Sequence, residues 1–214
     1  MLWCAPLLFC AFFTACALIP KIPIVSDPEL DAMVERDAQA IVAVADRPGA
    51  RTYHFALAQF PRRDLLGLSL GQGRIYISYE LTRLAKSSAY YRWMLRQTLA
   101  HEIAHEVAEH ANHSGAVASQ VAPESEITGS DLGLSMHVRF QNYSVDKELE
   151  ADREGMKYWA RLHWDCGIWT EILRNFQRQQ YAGDRYHPTD RRVEEAVQAC
   201  AAEPPPDDAS APTR

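Results

Sequence analysis

A His-Glu-x-x-His motif within residues 98–110 constrains this chain of 214 residues more than any other feature. A helix turns about 100° per residue, so His101 and His105 project from one face about 40° apart and can bind one metal ion. Glu102 stands beside the pair, where a carboxylate can act on a metal-activated water molecule. The alternative interpretation is a solvated helix face that holds these residues without a metal.

A catalytic zinc site needs a third protein ligand, and a helix predicted to start after the capping residue Ser144 offers one. Glu148 and Asp152 lie one turn apart on one face of this helix. The same face holds Ala151 and Gly155, small residues that would let it approach the histidine helix closely. The pattern predicts Glu148 as a metal ligand and Asp152 as the acceptor for the second ring N–H of a ligand histidine. An acidic, solvated face is the alternative.

The order of predicted elements indicates an α+β domain with one small sheet. With 47% hydrophobic residues, the chain can form one hydrophobic core but has little room for a second domain. Hydrophobic periodicity predicts strands over 52–57 and 74–79, and helices over 28–47, 80–86, 89–111, 145–163, 168–180 and 191–201. Residues 112–141 lack such a pattern and are predicted to form a long loop, either a mobile lid or a disordered segment.

The charge of the chain is acidic and evenly spread. Lysines and arginines number 22 against 28 aspartates and glutamates, a net charge of −6, and no basic cluster stands out. Proteins that bind nucleic acid or anionic membranes through charge carry basic patches. The composition therefore argues against a nucleic-acid partner.

Residues 1–19 are uncharged and rich in Leu, Phe, Ala and Cys, a composition typical of a signal peptide. Pro6 interrupts this run and Pro20 ends it. The segment Phe-Thr-Ala-Cys that ends at Cys16 resembles the lipobox of bacterial lipoproteins, in which the cysteine carries the lipid. We therefore expect a lipoprotein anchored to a membrane on the periplasmic side of a bacterial cell envelope. A simply cleaved signal and an uncleaved anchor are the alternatives.

Two cysteines lie in the body of the chain, at positions 166 and 200. In an exported protein Cys166 and Cys200 can form a disulfide, and two unpaired buried thiols are the alternative. The C-terminal stretch 203–214 is rich in Pro, Asp and Ala and has nothing to bury, so it is predicted to be disordered.

Three segments together resemble the gluzincin metallopeptidases, which include the HtpX, BepA, Oma-type and CAAX prenyl endopeptidases. They are Leu-Ala-His-Glu-Ile-Ala-His-Glu-Val-Ala-Glu-His at 99–110, Tyr-Ser at 143–144 and Glu-Leu-Glu-Ala-Asp-Arg-Glu-Gly at 148–155. The resemblance implies a mostly helical, zincin-type metalloprotease domain over 20–202, with Glu148 as the third ligand of one Zn²⁺ ion. The body lacks the transmembrane segments of the HtpX and CAAX branches, so the likeness is to the soluble, envelope-facing branch.

The function implied by the resemblance is zinc-dependent hydrolysis of peptide bonds in protein substrates, in envelope quality control. Glu102 would take a proton from the attacking water and deliver it to the leaving amine. His187, in a His-Pro element similar to one in the family, is the first candidate to stabilise the oxyanion or to act as a reversible fourth ligand. Tyr143 and Arg192 are further candidates. The alternative is an envelope assembly or chaperone-like module with a latent or non-catalytic zinc site.

Two expectations concern the surroundings of the motif. The strand at 73–77 is similar to one that lies beside the cleft in this family and can pair with an extended substrate. On a straight helix His110 lies about 180° and His113 about 120° from His101, so neither histidine is expected to reach the ion.

Overall fold

The computed structural model of the chain describes residues 21–47, 49, 51–110, 135–137, 143–178 and 189–202. The described strands are β1 (Lys21–Val25), β2 (His54–Ala58), β3 (Gly67–Ser69), β4 (Arg74–Ser78) and β5 (Ser135–His137). The described helices are α1 (Pro28–Val44), α2 (Tyr79–Ser87), α3 (Ala89–Val107), α4 (Val145–Arg161), α5 (Cys166–Arg178) and α6 (Thr189–Ala202). The chain is therefore α+β, as its sequence predicts.

Several predicted features lie outside the described residues. They are the signal segment 1–19 with Cys16, the tail 203–214, His113 and His187. None of the described helices combines the length and the apolar character that a membrane span requires.

The sheet is mixed, with the strand order β3-β4-β2-β1-β5. β2 and β4 run parallel, with Phe55 opposite Ile75, and the other neighbouring strands are antiparallel. β4 is therefore hydrogen-bonded on both sides, and β3 is the outer strand at that end of the described sheet. The expectation that the strand at 73–77 can accept an extended substrate is wrong, because its backbone groups are already paired.

The sequence predicted β2 and β4 but not the other three strands. β3 and β5 have only three residues each, too few for an alternating pattern to be visible. β1 contains Pro23, and proline is rare inside strands because it cannot donate a ladder hydrogen bond. β5 also lies inside the stretch 112–141 that was predicted to be a loop, so that prediction is wrong at 135–137.

The predicted helices are all present, with one informative difference in α3. α1 is capped by Asp27, whose carboxylate accepts the N–H groups of Glu29 and Leu30. α3 ends at Val107, four residues before the predicted end. Glu109 then takes a left-handed conformation with φ of 56°, and this residue turns the chain back toward the helix.

α3 is the central helix of the domain. Its apolar residues are completely buried along most of its length: Leu95, Leu99, Ala100, Ile103 and Ala104. The helix packs against α2 and α4, and β3 contacts it as well. A helix buried all round places its polar residues in the interior as well, so the motif at 101–106 must find its partners inside the protein.

A disulfide joins α5 to α6. Cys166 is the first residue of α5, Cys200 lies in the last turn of α6, and their Cα atoms are 5.7 Å apart. The bond closes a loop with a sequence separation of 34 residues. Of the two alternatives for these cysteines, the structure has the disulfide.

Replacing both Cys166 and Cys200 with serine should lower the free energy of unfolding. Loop closure of this length is worth about 3–4 kcal/mol through the entropy of the unfolded chain. Urea unfolding should therefore move to a lower midpoint in the double variant. The parent protein treated with a reductant is the control and should match the variant. An unchanged midpoint in both would show that the bond contributes nothing to stability.

Candidate metal centre

Two histidines and one glutamate converge between α3 and α4. His101 Nε2 and His105 Nε2 lie 3.1 Å apart, and Glu148 Oε2 lies 3.1 Å from the first and 3.5 Å from the second. All three side chains are nearly inaccessible to solvent. Among the described residues this is the one group of three or more His, Cys, Asp or Glu side chains that could hold a metal ion. The structure thus brings together the three ligands predicted from the sequence.

Gly155 lets α4 approach α3 closely enough for this convergence. A Cβ atom added at Gly155 would lie 3.3 Å from the backbone of Ala100 and 2.8 Å from the buried ring of Trp169. Ala151, on the same face, is completely buried. The prediction that small residues on this face allow close packing is confirmed. Ser144 caps the helix as predicted, since its hydroxyl accepts the N–H of Lys147 at 3.4 Å.

Asp152 fixes the orientation of the first histidine. Its Oδ1 lies 2.9 Å from His101 Nδ1, as the sequence predicted. Arg192 on α6 approaches the same carboxylate through two nitrogens, at 2.5 and 2.8 Å. Burial would raise the pKa of Asp152, but the charge of Arg192 outweighs it and holds this pKa well below its usual range. Arg192, considered from sequence as an oxyanion group, is therefore engaged with Asp152.

The second histidine, His105, is held by His110 and Tyr143, a role that the sequence does not reveal. His105 Nδ1 lies 2.8 Å from His110 Nδ1. The ring of Tyr143 stacks on that of His105, with a centroid distance of 4.3 Å and an interplanar angle of 20°. The Tyr143 hydroxyl donates to the carbonyl of Ser69 at 3.2 Å. His110 does not belong to the group that could hold a metal, as expected, but it contacts a member of that group directly.

Glu102 is buried beside the start of β3. A Cβ atom at Gly67 would lie 2.7 Å from Glu102 Cγ and from Thr98 Cγ2, so β3 reaches α3 only because residue 67 lacks a side chain. Glu102 follows His101 on α3 and is only 7% exposed. The predicted proton carrier therefore follows a candidate ligand on α3 and packs against the outer strand of the described sheet.

Glu106 anchors the turn between β3 and β4, a role that the sequence did not reveal. Its carboxylate accepts hydrogen bonds from the Ser69 hydroxyl and from the backbone N–H groups of Gly71 and Gly73, the latter two at 2.7 and 2.8 Å. Arg51 approaches it at 3.5 Å. The only signal available in the sequence was a second glutamate immediately after His105, and its partners lie more than thirty residues away.

The electrostatics of the centre favour a cation. Burial disfavours the charged form of His101, but Asp152 and Glu148 outweigh this effect and raise the pKa of the ring to about 10. Burial lowers the pKa of His105 to about 4, against the opposing effect of Glu148. The carboxylates of Asp152 and Glu148 therefore favour positive charge on the His101 ring, whereas the buried His105 ring stays neutral. A divalent metal ion would satisfy the same requirement.

Comparison with protein-family models finds no match for this chain, and the search of curated proteins finds none either. The interpretation of the centre consequently depends on its residues and their geometry.

Substituting Gly155 with alanine should destabilise the protein although alanine favours helices. The added methyl group would press on the ring of Trp169 and the backbone of Ala100, neither of which can move freely in a packed core. Overpacking of this kind costs about 1–3 kcal/mol. Denaturant unfolding would measure the loss.

Gly167→Ala is a matched control. A Cβ atom there would meet only the end of the Asp165 side chain, at 3.1 Å, which can shift. Equal unfolding free energies for Gly155→Ala and the parent would show that α3 and α4 do not need this close approach.

Proposed function

We propose that this chain is a zinc-dependent metalloendopeptidase of the gluzincin type that hydrolyses peptide bonds of protein substrates. The observation that carries the proposal is the convergence of His101, His105 and Glu148 with Glu102 beside them on the same helix. Two histidines and one carboxylate are the ligand set of many catalytic zinc sites, whereas structural zinc sites normally have four protein ligands. The zincin-type fold and the likeness to the envelope-facing branch are part of this proposal.

The donor atoms fit a metal ion. His101 and His105 each use Nδ1 for a contact away from the centre, with Asp152 and His110 respectively. When both Nδ1 atoms carry the proton, the two Nε2 lone pairs and the Glu148 carboxylate all face one another, and these groups are acceptors only. Acceptors that meet without a donor repel one another unless a proton or a metal ion lies between them. The donor set therefore suits one Zn²⁺ ion.

Different residues of this chain would perform proton transfer and hold the ligand histidine in position. When bound, zinc would act as a Lewis acid that makes water more acidic and polarises a carbonyl group. Glu102 would accept the proton of the attacking water and pass it to the leaving amine. Asp152, held by Arg192, would keep the His101 ring in the tautomer that presents Nε2 to the centre.

The position of β3 supports a peptide as the substrate. β3 is the outer strand at its end of the described sheet, and its first residue, Gly67, packs against Glu102. An extended peptide that pairs with an outer strand places its backbone alongside that strand, and at Ser69 it would replace the Tyr143 hydroxyl on the carbonyl. A scissile peptide bond aligned with β3 would therefore pass close to the proposed proton carrier.

We also propose that the protein works in the bacterial cell envelope, on the periplasmic side, anchored by lipid at Cys16. The disulfide between Cys166 and Cys200 supports this proposal, because such bonds persist mainly in oxidising compartments.

Substituting Glu102 with glutamine should abolish proteolysis and leave zinc bound. Glutamine keeps the size of the side chain but cannot take a proton, and loss of a general base costs about 10²–10⁴-fold in rate. The measurement combines zinc content with cleavage of an unfolded protein. If the variant cleaves as fast as the parent, the proposed mechanism is wrong. Stoichiometric zinc with no cleavage by the parent would favour the assembly or chaperone-like role.

Substituting Glu148 with glutamine should lower the zinc content, because the centre loses its anionic ligand. Glu154→Gln is the matched control, since it removes a carboxylate from the same helix that pairs with Lys157. Zinc analysis after dialysis would compare the two variants. Full zinc stoichiometry in Glu148→Gln would contradict the assignment of Glu148 as a ligand.

A further inference from the structure

The two ligand histidines have different supports. Asp152, a carboxylate, contacts His101 Nδ1, whereas a second imidazole, that of His110, contacts His105 Nδ1. The other nitrogen of His110 lies 3.3 Å from Glu150 Oε2. A series of side-chain contacts therefore runs from Glu150 through His110 to His105, and it ends at the candidate metal centre.

The turn after α3 makes this series of contacts possible. Because α3 ends at Val107 and Glu109 has a positive φ, the backbone N–H of His110 donates to the carbonyl of His105 at 3.1 Å. The ammonium group of Lys147 donates to the carbonyl of His110 at 3.1 Å. His110 is only 3% exposed, so its ring is held between α3 and α4. On a straight helix the same residue would point away from the motif.

The contacts allow only one arrangement of protons that leaves His105 able to bind a metal. Two Nδ1 atoms 2.8 Å apart share one proton, so one ring donates and the other accepts. If His105 is the donor, its Nε2 keeps a lone pair toward the centre. His110 then accepts at Nδ1 and carries its own proton at Nε2, where the carboxylate of Glu150 accepts it.

The reverse arrangement prevents metal binding by His105. If neutral His110 donated from Nδ1, neutral His105 would carry its proton at Nε2. That proton would point at His101 Nε2, 3.1 Å away, and no lone pair of His105 would face the centre. The Glu150 carboxylate opposes this arrangement, because it can only accept and needs the proton of His110 at Nε2.

We propose that His110 and Glu150 are positioning residues that hold His105 in its metal-binding tautomer. The inference depends on the proposed metal centre and adds to it a second support, separate from that of Asp152. Outer contacts of this kind typically change metal affinity by about 10–100-fold. His110 itself does not bind the ion.

The decisive comparison is between His110→Leu and His110→Asn. Leucine fills the space but offers no acceptor, whereas the amide oxygen of asparagine can occupy the place of Nδ1 and accept from His105. We expect His110→Leu to bind Zn²⁺ about 10–100-fold more weakly in competition with a chromogenic chelator. We expect His110→Asn to recover most of that affinity. The visible absorption spectrum of bound Co²⁺ should change in His110→Leu and resemble the parent spectrum in His110→Asn.

Glu150→Gln tests the solvent-exposed end of this series of contacts without changing a buried side chain. Because the Glu150 side chain is half exposed, we expect a loss of about two- to fivefold in Zn²⁺ affinity. Glu154→Gln, one turn further along α4, is the control and should bind as the parent does. Thermal unfolding of the metal-free proteins would identify a variant that is merely destabilised, and Glu150→Gln then remains informative if His110→Leu does not fold.

The outcomes separate this inference from the proposed function. Parent-like Zn²⁺ affinity and Co²⁺ spectra in His110→Leu would overturn the role of His110 and leave the metal centre intact. Equal losses in His110→Leu and His110→Asn would also overturn it, because packing rather than the acceptor would then matter. A parent protein that does not bind zinc would overturn the proposed function and this inference together.

Discussion

The close packing of α4 on α3 is the contact on which the rest of the site depends. His101 and His105 belong to one helix, so their separation is set by helical geometry alone. Glu148 and Asp152 come from the other helix, and they reach the histidines only at the distance that Gly155 permits against Ala100. Packed helices normally lie about 8–10 Å apart, with the value set by the side chains between them. A small residue at that contact therefore determines whether the three candidate ligand atoms can meet.

Burial of α3 explains why so many polar residues surround the motif. A charged side chain inside a protein needs a partner, since an unpaired buried charge is strongly unfavourable. Glu106 finds its partners in the turn between β3 and β4, and Asp152 finds Arg192 on α6. The disulfide ties α6 to α5, so it helps hold in place the helix that brings Arg192 to Asp152. The same contacts that stabilise the fold thus orient the groups around the candidate metal centre.

Much of the site was predictable because its signals are local. The spacing of His101 and His105 is a property of any α-helix. A serine at the capping position just before a helical segment, as at Ser144, marks a helix start. The face shared by Glu148, Asp152 and Gly155 follows from the same periodicity. The α+β class follows from the order of helical and alternating segments. Each of these predictions requires information from only one segment at a time.

The sequence by itself determined the candidate metal ligands, the candidate general base Glu102 and the α+β class of the fold. Only the tertiary structure decided how the site is supported. β3 is the outer strand beside Glu102, Arg192 donates to the carboxylate of Asp152, and the His110 ring contacts that of His105. The end of α3 depends on a single residue with a positive φ, and the partners of Glu106 come from a distant turn. The physical reason is that helical periodicity acts over one turn, whereas these contacts depend on how separate elements pack.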